Sequence, residues 1–283
     1  MITDIVLVVL GFLWIIAASL FDIKTREIPY WISFSLICLG LRIRTIHSLF
    51  YWDYHYIFYG IIGLAAFFIF GNLMYFTKQW GGGDAKLLMG LGAVFGSYLD
   101  VGLFNPNINL PFIIILLFNI LVAGAVYGII YALVLGIINR KNLIPILRKQ
   151  SKLFLIGGLL VALIMFFIGV IMDEILFLGF MALIFALLII ILFFVRAVDK
   201  ISMIKKVNVD KLVEGDWLAK NIVKDNKIIC SAEGLGVTKN DIERLKKNHI
   251  KEVLIKEGIP FAPSFLFGMI ISFTFGNLIV IGP

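Results

Sequence analysis

The sequence predicts an α-helical membrane protein with six to eight transmembrane helices and a small cytoplasmic α+β domain inserted before the last helix. Hydrophobic residues make up 61% of the 283 residues and charged residues only 15%, against roughly 45–50% and about 25% in soluble domains. Several apolar runs approach or exceed the length of about 20 residues that crosses a bilayer. Charged residues are concentrated in one segment near the C-terminal end. This balance argues against a soluble enzyme, a disordered chain and a basic nucleic-acid-binding domain.

Eight apolar runs are candidate spans. They cover residues 4–21, 29–41, 56–77, 84–103, 110–138, 153–172, 175–195 and 259–281. The second run is short and fits either a tilted span or a re-entrant segment, whereas the fifth is long enough to tilt. We therefore expect a membrane core of residues 1–198, a cytoplasmic domain of residues 199–257 and a last helix, within residues 258–283, that belongs to the core.

The positions of Lys and Arg predict the orientation, because cytoplasmic loops carry an excess of these residues. With the N-terminus outside, 12 Lys and Arg residues flank the spans on the cytoplasmic side, whereas Arg42 and Arg44 alone lie on the outer side. The first residues, MITD, lack the basic start of a secretory signal, so the first run is expected to be a retained span. The sequence thus predicts a multi-pass protein of the cell membrane with its N-terminus outside.

Residues 199–257 have a different composition, with 13 Lys or Arg and 10 Asp or Glu. The stretches VNVD, WLAKNIV, KIIC and EVLI have the pattern of short strands. The stretch TKNDIERLKKN predicts a helix with Thr238 as its N-cap and Asp241 at its third position. At about 60 residues, a domain of this size is near the lower limit for independent folding. We expect it to be supported by the membrane core.

Two aspartates are the most informative charged residues, because acidic groups inside or beside apolar runs are costly. Asp22 lies in SLFDIKTREIPYW at the end of the first run, and Asp84 lies in WGGGDAKLLMG at the start of the fourth. The predicted topology puts both at one depth on the cytoplasmic side, which permits a pair. Taken singly, each aspartate has the simpler interpretation of a solvated interfacial charge.

A pair of carboxylates has a definite chemistry. Two carboxylates about 3 Å apart cannot both ionise, so they share one proton. The ionised member accepts a proton from an attacking water, and the protonated member donates to a peptide carbonyl oxygen. Gly81, Gly82 and Gly83 lack side chains, so a substrate backbone can come close to Asp84. Lys86 is rotated by roughly 200° from Asp84 on a helix and is expected to reach headgroups or water.

Other chemistries lack support in the sequence. No Gly-Lys-Ser/Thr loop follows the glycines, so a nucleotide site is not predicted. Neither a nucleophile triad nor a metal-ligand spacing is present, and we expect no metal, no cofactor and no nucleic-acid partner. The histidines and cysteines are scattered along the chain, at His47, His55, His249, Cys38 and Cys230.

Together the two aspartate segments resemble a known pattern. Gly81-Gly82-Gly83-Asp84-Ala85-Lys86 resembles the GxGDxK signature of the type IV prepilin and archaeal preflagellin peptidases, which are GxGD-type membrane aspartic proteases. Asp22-Ile23-Lys24 followed by Ile28-Pro29 resembles the D-x-K-x-x-x-I-P segment around the first catalytic aspartate of that family. The resemblance covers roughly residues 1–140. The tail GIPFAPSFLFG, residues 258–268, looks like the segment that opens the last span of archaeal members.

The resemblance implies that Asp22 and Asp84 are the catalytic residues of a leader peptidase. Its implied substrates are pilin- or archaellin-like precursors with a short basic leader, cut at the cytoplasmic face just before a hydrophobic helix. Lys24, Glu27 and Lys86 become candidate contacts to substrate or lipid headgroups. The cysteine-bearing domain that bacterial relatives use for N-methylation is not recognisable, so peptidase activity without methyl transfer is implied. The runs within residues 153–195 exceed the family's usual six-span plan.

Two alternatives are compatible with the same residues. A presenilin- or signal-peptide-peptidase-like intramembrane protease also uses GxGD, but it has deeper aspartates and a Pro-Ala-Leu motif that Ala262-Pro263-Ser264 does not match. A proton-coupled transporter would place paired aspartates near the bilayer midplane, in broken helices and within an internal repeat. The flanking charges and the lack of a recognisable repeat favour the leader peptidase.

Overall fold

The computed structural model describes residues 2–102, 106, 108–150, 152–202, 204–224, 227–232, 234, 236–256 and 258–278. The helices are α1 (Ile2–Thr25), α2 (Tyr30–Tyr51), α3 (Tyr54–Phe76), α4 (Gly82–Phe95), α5 (Phe112–Ile138), α6 (Arg140–Lys149), α7 (Leu153–Ile171), α8 (Ile175–Ser202), α9 (Lys239–Lys247) and α10 (Ala262–Thr274). The strands are β1 (Ile204–Asn208), β2 (Trp217–Leu218), β3 (Ile222–Lys224), β4 (Lys227–Cys230) and β5 (Glu252–Lys256).

Six of the described helices are long and apolar enough to cross a membrane, namely α1, α2, α3, α5, α7 and α8. The predicted fold class is therefore confirmed: a polytopic helical membrane protein with a small sheet-containing region near its C-terminal end. Residue 103 of the fourth predicted run and residues 279–283 of the predicted last helix lie outside the described residues.

Helix α2 corrects two expectations. The second run, expected to be short, continues to Tyr51 and forms a helix of 22 residues. Arg42 and Arg44 consequently lie within this helix and not in an outer loop. The apolar pattern broke off early because polar positions of the second half, including Arg44 and Ser48, are buried against the rest of the core.

Helices α4 and α10 are shorter than expected. They have 14 and 13 residues, or about 21 and 20 Å at 1.5 Å per residue, whereas the hydrocarbon core of a bilayer is about 30 Å thick. The fourth and eighth candidate runs therefore form helices too short to cross the hydrocarbon core at full length, which leaves six long helices within the predicted range of six to eight. Helix α4 has Gly81 as its N-cap, begins at Gly82 and ends at Phe95, and most of its residues are buried by neighbouring helices.

Buried polar side chains complete the C-terminal ends of both short helices. The fully buried Arg44 donates from Nη2 to the carbonyl oxygen of Val94 in the last turn of α4, at 2.8 Å, and from Nη1 to that of Tyr56, at 2.7 Å. The Nδ2 of Asn119 donates to the carbonyl oxygen of Gly276, just beyond α10, at 2.8 Å. Backbone groups in a membrane interior need partners inside the protein, and these two side chains provide them.

Glycines bring α3 and α4 into backbone contact. A Cβ on Gly92 would lie 2.2 Å from the carbonyl oxygen of Gly63, and one on Gly96 would lie 1.9 Å from that of Tyr59. Small residues at helix interfaces in membranes allow this close approach, which gains dispersion contacts. Helix α4 is thereby held at a set depth along α3.

The sheet-containing region has two antiparallel sheets. One has the strand order β1-β5-β2 and the other is the β3–β4 hairpin. The predicted strand KIIC is confirmed as β4, and α9 has the predicted capping box between Thr238 and Asp241. The predicted strand WLAKNIV is divided between β2 and β3. The buried residues of this region form one cluster: Val209, Leu212, Leu218, Cys230, Val237, Leu245, Val253 and Ile255.

This region is attached to the end of α8. Helix α8 continues to Ser202, beyond the predicted boundary at residue 198. The Nζ of Lys256 in β5 forms an ion pair of 2.8 Å with Asp199 in the last turns of α8. Helix α7 packs against α8, which in turn contacts α5 and α6. The hairpin α7–α8 therefore lies at the periphery of the helical core.

We expect Gly92→Ala to lower the free energy of unfolding by about 2 kcal/mol, a typical cost of overpacking a tight interface. The added methyl would meet the Gly63 carbonyl oxygen, which belongs to backbone and cannot rotate away. Gly128→Ala is the control, since a Cβ there meets nothing within 4 Å. Thermal unfolding in detergent measures both variants, and equal midpoints would contradict the backbone contact.

Candidate functional site

Asp22 lies on the last turns of α1 and is bound to the start of α10. Its side chain is buried, with 5% exposed, and its Oδ2 accepts a hydrogen bond of 2.8 Å from the backbone N–H of Ala262. The N–H of Phe261, one residue earlier, also acts on this carboxylate. The first N–H groups of a helix have no partner within it, and they form the positive end of its dipole. Asp22 therefore caps α10 across 240 residues of chain.

Asp84 is held in a similar way at the start of its own helix. Its Oδ2 accepts a hydrogen bond of 3.1 Å from the N–H of Gly81, the N-cap of α4. The carboxylate of Asp22 acts electrostatically on Asp84. The structure thus brings the two aspartates together at one end of the core, from α1 and α4.

The three glycines have different neighbours. A Cβ on Gly83 would lie 3.1 Å from the Cβ of Ile28, and one on Gly82 would lie 3.5 Å from the ring of Tyr75. Gly81 is exposed, and a Cβ there would lie 3.3 Å from Asp84 Oδ2. The missing side chain at Gly83 lets the first turn of α4 pack on the loop after α1, which brings the two aspartate segments together.

Lys24, Glu27 and Lys86 lie around the site without binding the aspartates through any hydrogen bond among the described residues. Lys86 points its Nζ at the ring of Tyr30, 3.8 Å from the centroid, so it is turned away from Asp84 as predicted. Lys24 is exposed on the last turn of α1. Partial desolvation of Glu27, and then the nearby carboxylate of Asp216, raise the pKa of Glu27. Glu27 therefore lies close to the sheet-containing region.

Helix α5 contributes two tyrosines that sequence reasoning missed. Arg26 Nη2 donates to the hydroxyl of Tyr131 at 2.6 Å, and the ring of Tyr131 lies 6.0 Å from that of Tyr127. The Arg26 guanidinium acts electrostatically on Asp22, as Asp22 does on Tyr127. The sequence did contain a pattern that could have identified them, because two tyrosines four residues apart lie on one face of an otherwise apolar helix.

An aromatic cluster supports the start of α10. Trp80, just before the glycines, is only 6% exposed. Its ring lies 5.1 Å from that of Phe261, 5.5 Å from that of Phe265 and 5.9 Å from that of Phe70. The ring of Phe261 also lies so close to Gly124 that a Cβ there would be 2.5 Å away. These contacts hold the N–H groups of Phe261 and Ala262 against Asp22.

The described part of the chain does not bring three or more His, Cys, Asp or Glu side chains to a common point where they could hold a metal ion. The arrangement of groups at the site is instead two carboxylates, each accepting from backbone N–H groups at a helix start, with one guanidinium and two phenols beside them. Such a set can bind, hold and transfer protons.

The fold defines the chain as a polytopic helical membrane protein, and two carboxylates lie at one end of its core. Residues 9–138, just under half of the chain, match the model of the type IV leader peptidase family. The matched residues include Asp22 and Asp84. Helix α10, which binds Asp22, lies outside the matched residues.

Curated relatives match a shorter stretch. The chain is 36% identical over 90 residues to a preflagellin peptidase of Methanocaldococcus jannaschii, which is 32% of this chain and 38% of that protein. It is 39% identical over 89 residues to one of Methanococcus voltae, 31% of this chain and 38% of that protein. It is 37% identical over 86 residues to one of Methanococcus maripaludis, 30% of this chain and 37% of that protein. The matches thus span less than two fifths of these relatives, and no solved structure matches significantly.

Trp80→Ala is expected to lower the free energy of unfolding by about 3–5 kcal/mol, the usual cost of truncating a buried aromatic residue. Trp52→Ala is the matched control, because Trp52 is 78% exposed, and its midpoint should stay close to that of the parent protein. Thermal unfolding in detergent gives both values. A Trp80→Ala protein as stable as the control would show that the cluster does not support α10.

Proposed function

We propose that the protein is a membrane-embedded aspartic endopeptidase that removes the short basic leader from pilin- or archaellin-like precursors. The observation that carries this proposal is the pair of carboxylates that α1 and α4 bring together within the part of the chain matching the type IV leader peptidases. The relatives named preflagellin peptidase support the substrate class. No bound cofactor is needed for this chemistry, because water is the nucleophile.

The surroundings of the two aspartates favour different protonation states. Asp22 accepts a hydrogen bond from the N–H of Ala262 at the start of α10, and the N–H of Phe261 and the Arg26 guanidinium also act on it. Asp84 accepts from the one N–H of Gly81, and the cation on its own helix, Lys86, is turned to Tyr30. Hydrogen bonds and opposite charge favour an ionised carboxylate, so the shared proton resides on Asp84.

The proposed reaction follows from this asymmetry. Ionised Asp22 accepts a proton from water as the water oxygen attacks the carbonyl carbon of the scissile peptide. Protonated Asp84 donates its proton to the carbonyl oxygen, which gives a neutral tetrahedral intermediate. Asp22 then passes its proton to the leaving nitrogen, while ionised Asp84 takes back the proton of one hydroxyl group. The C–N bond breaks to give a carboxylic acid and an amine, and the pair returns to its starting protonation state. The two carboxyls titrate as one unit throughout.

The substrate fits the position of the site. A precursor has its hydrophobic helix in the bilayer and its leader in the cytoplasm, so the junction lies at the membrane surface. A small leader residue would let the peptide backbone approach the carboxylates beside Gly81 and Gly82, where an extended chain meets little side-chain bulk. Glu27 and Asp216, close to each other nearby, have the charge that attracts a basic leader.

We infer that the site lies at the cytoplasmic face of the cell membrane and that the N-terminus lies outside. Residues 199–257 then form a cytoplasmic domain between two parts of the core, residues 1–198 and 258–283. The proximity of Asp216 to Glu27 supports the same side for this domain and the aspartates. Its chain leads directly into Phe261 and Ala262, so it is linked to the donors that bind Asp22.

Asp22→Asn and Asp84→Asn should each lower cleavage at least 100-fold, since general acid–base catalysis contributes about 10²–10⁴-fold. The amide keeps the volume but cannot share the proton. Asp53→Asn and Asp100→Asn are the controls, because these carboxylates bind the local N–H groups of His55 and Gly102. The assay co-expresses a precursor with each variant in membranes and reads its mass.

Each outcome of this assay is informative. Full activity of Asp84→Asn would overturn the two-aspartate mechanism. Failure of folded wild-type protein to cut several such precursors would overturn the leader-peptidase proposal. A cut within the hydrophobic helix would favour a presenilin-like protease, and aspartate-dependent proton-coupled uptake would favour a transporter.

Arg26→Gln should move the acid limb of the pH profile of kcat/KM to higher pH by about one pH unit. The reason is that a nearby cation favours the ionised form of a carboxylate and lowers a carboxylate pKa by about one to three units. Arg26→Lys keeps the charge and should restore the limb toward the wild-type position. Tyr131→Phe removes the acceptor of the Arg26 hydrogen bond without changing any charge, and should leave the limb in place. An unmoved limb in Arg26→Gln would contradict the assignment of the charge to Asp22.

A further inference from the structure

Helix α6 is a short basic helix that the proposed chemistry does not use. Between Asp100 and Asp173 the chain has no acidic residue, and all five of its cations in that stretch lie within or beside α6. They are Arg140, Lys141, Arg148, Lys149 and Lys152, and all five are exposed. This stretch therefore has a positive charge that no acidic residue of the same stretch neutralises.

The neighbouring helices determine where α6 lies. It connects α5, which ends at Ile138, to α7, which begins at Leu153, and both are long enough to cross a membrane. With 10 residues, or about 15 Å, α6 is too short to cross itself. Ile137, Ile138 and Leu153 at the adjoining helix ends are strongly exposed apolar residues, as suits contact with lipid. Helix α6 therefore lies at the level of the headgroups.

One face of α6 is already occupied by the protein. Leu143 is buried in a cluster with Ala132 of α5 and with Ala197 and Val198 of α8. At about 100° per residue, Lys141, Arg148 and Lys149 fall within an arc of about 100° on the face opposite Leu143. The apolar side of α6 at Leu143 therefore packs against α5 and α8, and the opposite side exposes cations.

These cations differ from those of the sheet-containing region in their pairing within the described part of the chain. Among the described residues, none of the five forms an ion pair. The sheet-containing region differs, because Lys206, Lys239, Lys246 and Lys256 there pair with Glu252, Glu214, Asp210 and Asp199. The unpaired charge is therefore a property of α6 and its flanks, at the one depth where anionic headgroups are available.

We propose that α6 is a docking surface for the headgroups of anionic phospholipids. Guanidinium and ammonium groups at a membrane surface attract phosphate-bearing anionic lipids, and the exposed face of α6 is cationic and continuous with two lipid-facing spans. An acidic protein partner is a weaker fit, because the apolar stripe that would anchor it is buried. Bound headgroups would hold the end of α5, and with it Tyr127 and Tyr131, at a constant depth.

The test uses the full chain in nanodiscs. Wild-type protein is compared in neutral phosphatidylcholine and in phosphatidylcholine with increasing phosphatidylglycerol, with the midpoint of thermal unfolding as the readout. The α6 variant carries Lys141→Gln, Arg148→Gln and Lys149→Gln. A matched control variant carries Lys220→Gln, Lys247→Gln and Lys251→Gln, three exposed lysines of the sheet-containing region.

The wild type and the control should gain stability with the anionic fraction, and the α6 variant should lose more than half of that gain. The gain should largely vanish at about 1 M salt, where the screening length is about 3 Å. An equal gain in the α6 variant would overturn the proposal. An equal gain from inorganic phosphate in neutral nanodiscs would also overturn it, since the site would then bind a soluble anion.

A second measurement needs only the wild type, in case the triple variant does not fold. Photoactivatable phosphatidylglycerol and photoactivatable phosphatidylcholine are compared at equal mole fraction, and the crosslinked peptides are mapped. Labelling of residues 139–152 should be several-fold higher with the anionic lipid. Equal labelling by both lipids would overturn the proposal.

Discussion

The rest of the structure depends on one constraint, which is that backbone N–H and C=O groups in a membrane interior must find partners within the protein. Helices α4 and α10 are shorter than a bilayer is thick, so both of their ends need such partners inside the core. Arg44 and Asn119 bind the carbonyl groups at the C-terminal ends. Asp84 and Asp22 accept from the N–H groups at the N-terminal ends. Four polar side chains thus bind the backbone groups at the ends of α4 and α10, which allows these two helices to be shorter than the bilayer is thick.

The same contacts build the candidate site. The carboxylates that complete the starts of α4 and α10 are the two that come together, so the packing of these helices and the arrangement of the aspartates depend on each other. Backbone contact at Gly63 and Gly92 sets the depth of α4 along α3, and the Trp80 cluster sets the start of α10. A substitution at the Gly63–Gly92 contact or in the Trp80 cluster should therefore change the relative positions of the two carboxylates, although it replaces neither of them. For the proposed reaction, a pair so constrained is pre-organised, because little rearrangement would be needed.

Charge is distributed differently in the three parts of the molecule. In the core, buried charges are few and bind backbone groups, as Arg44 and Asp22 do. In the sheet-containing region, cations and anions pair with one another. On α6 and its flanks, the cations form no ion pair with any residue that the structure describes. This difference follows from the surroundings, because the core excludes water, the sheet-containing region is rich in both signs, and α6 lies beside lipid headgroups.

The sequence by itself determined the helical membrane class, the long apolar helices, the capping box of α9 and the two aspartates with their glycine turn. These features follow from composition, periodicity and local spacing, which act over a few residues. Only the tertiary structure decided that α4 and α10 are short, that Arg44 is buried in a helix, and that Ala262 binds Asp22 across most of the chain. Arg44 and Asn119 were visible as costly polar residues in or beside apolar runs, but the carbonyl groups that they satisfy lie on other helices. Partners distant in sequence are selected by packing, and no local pattern encodes them.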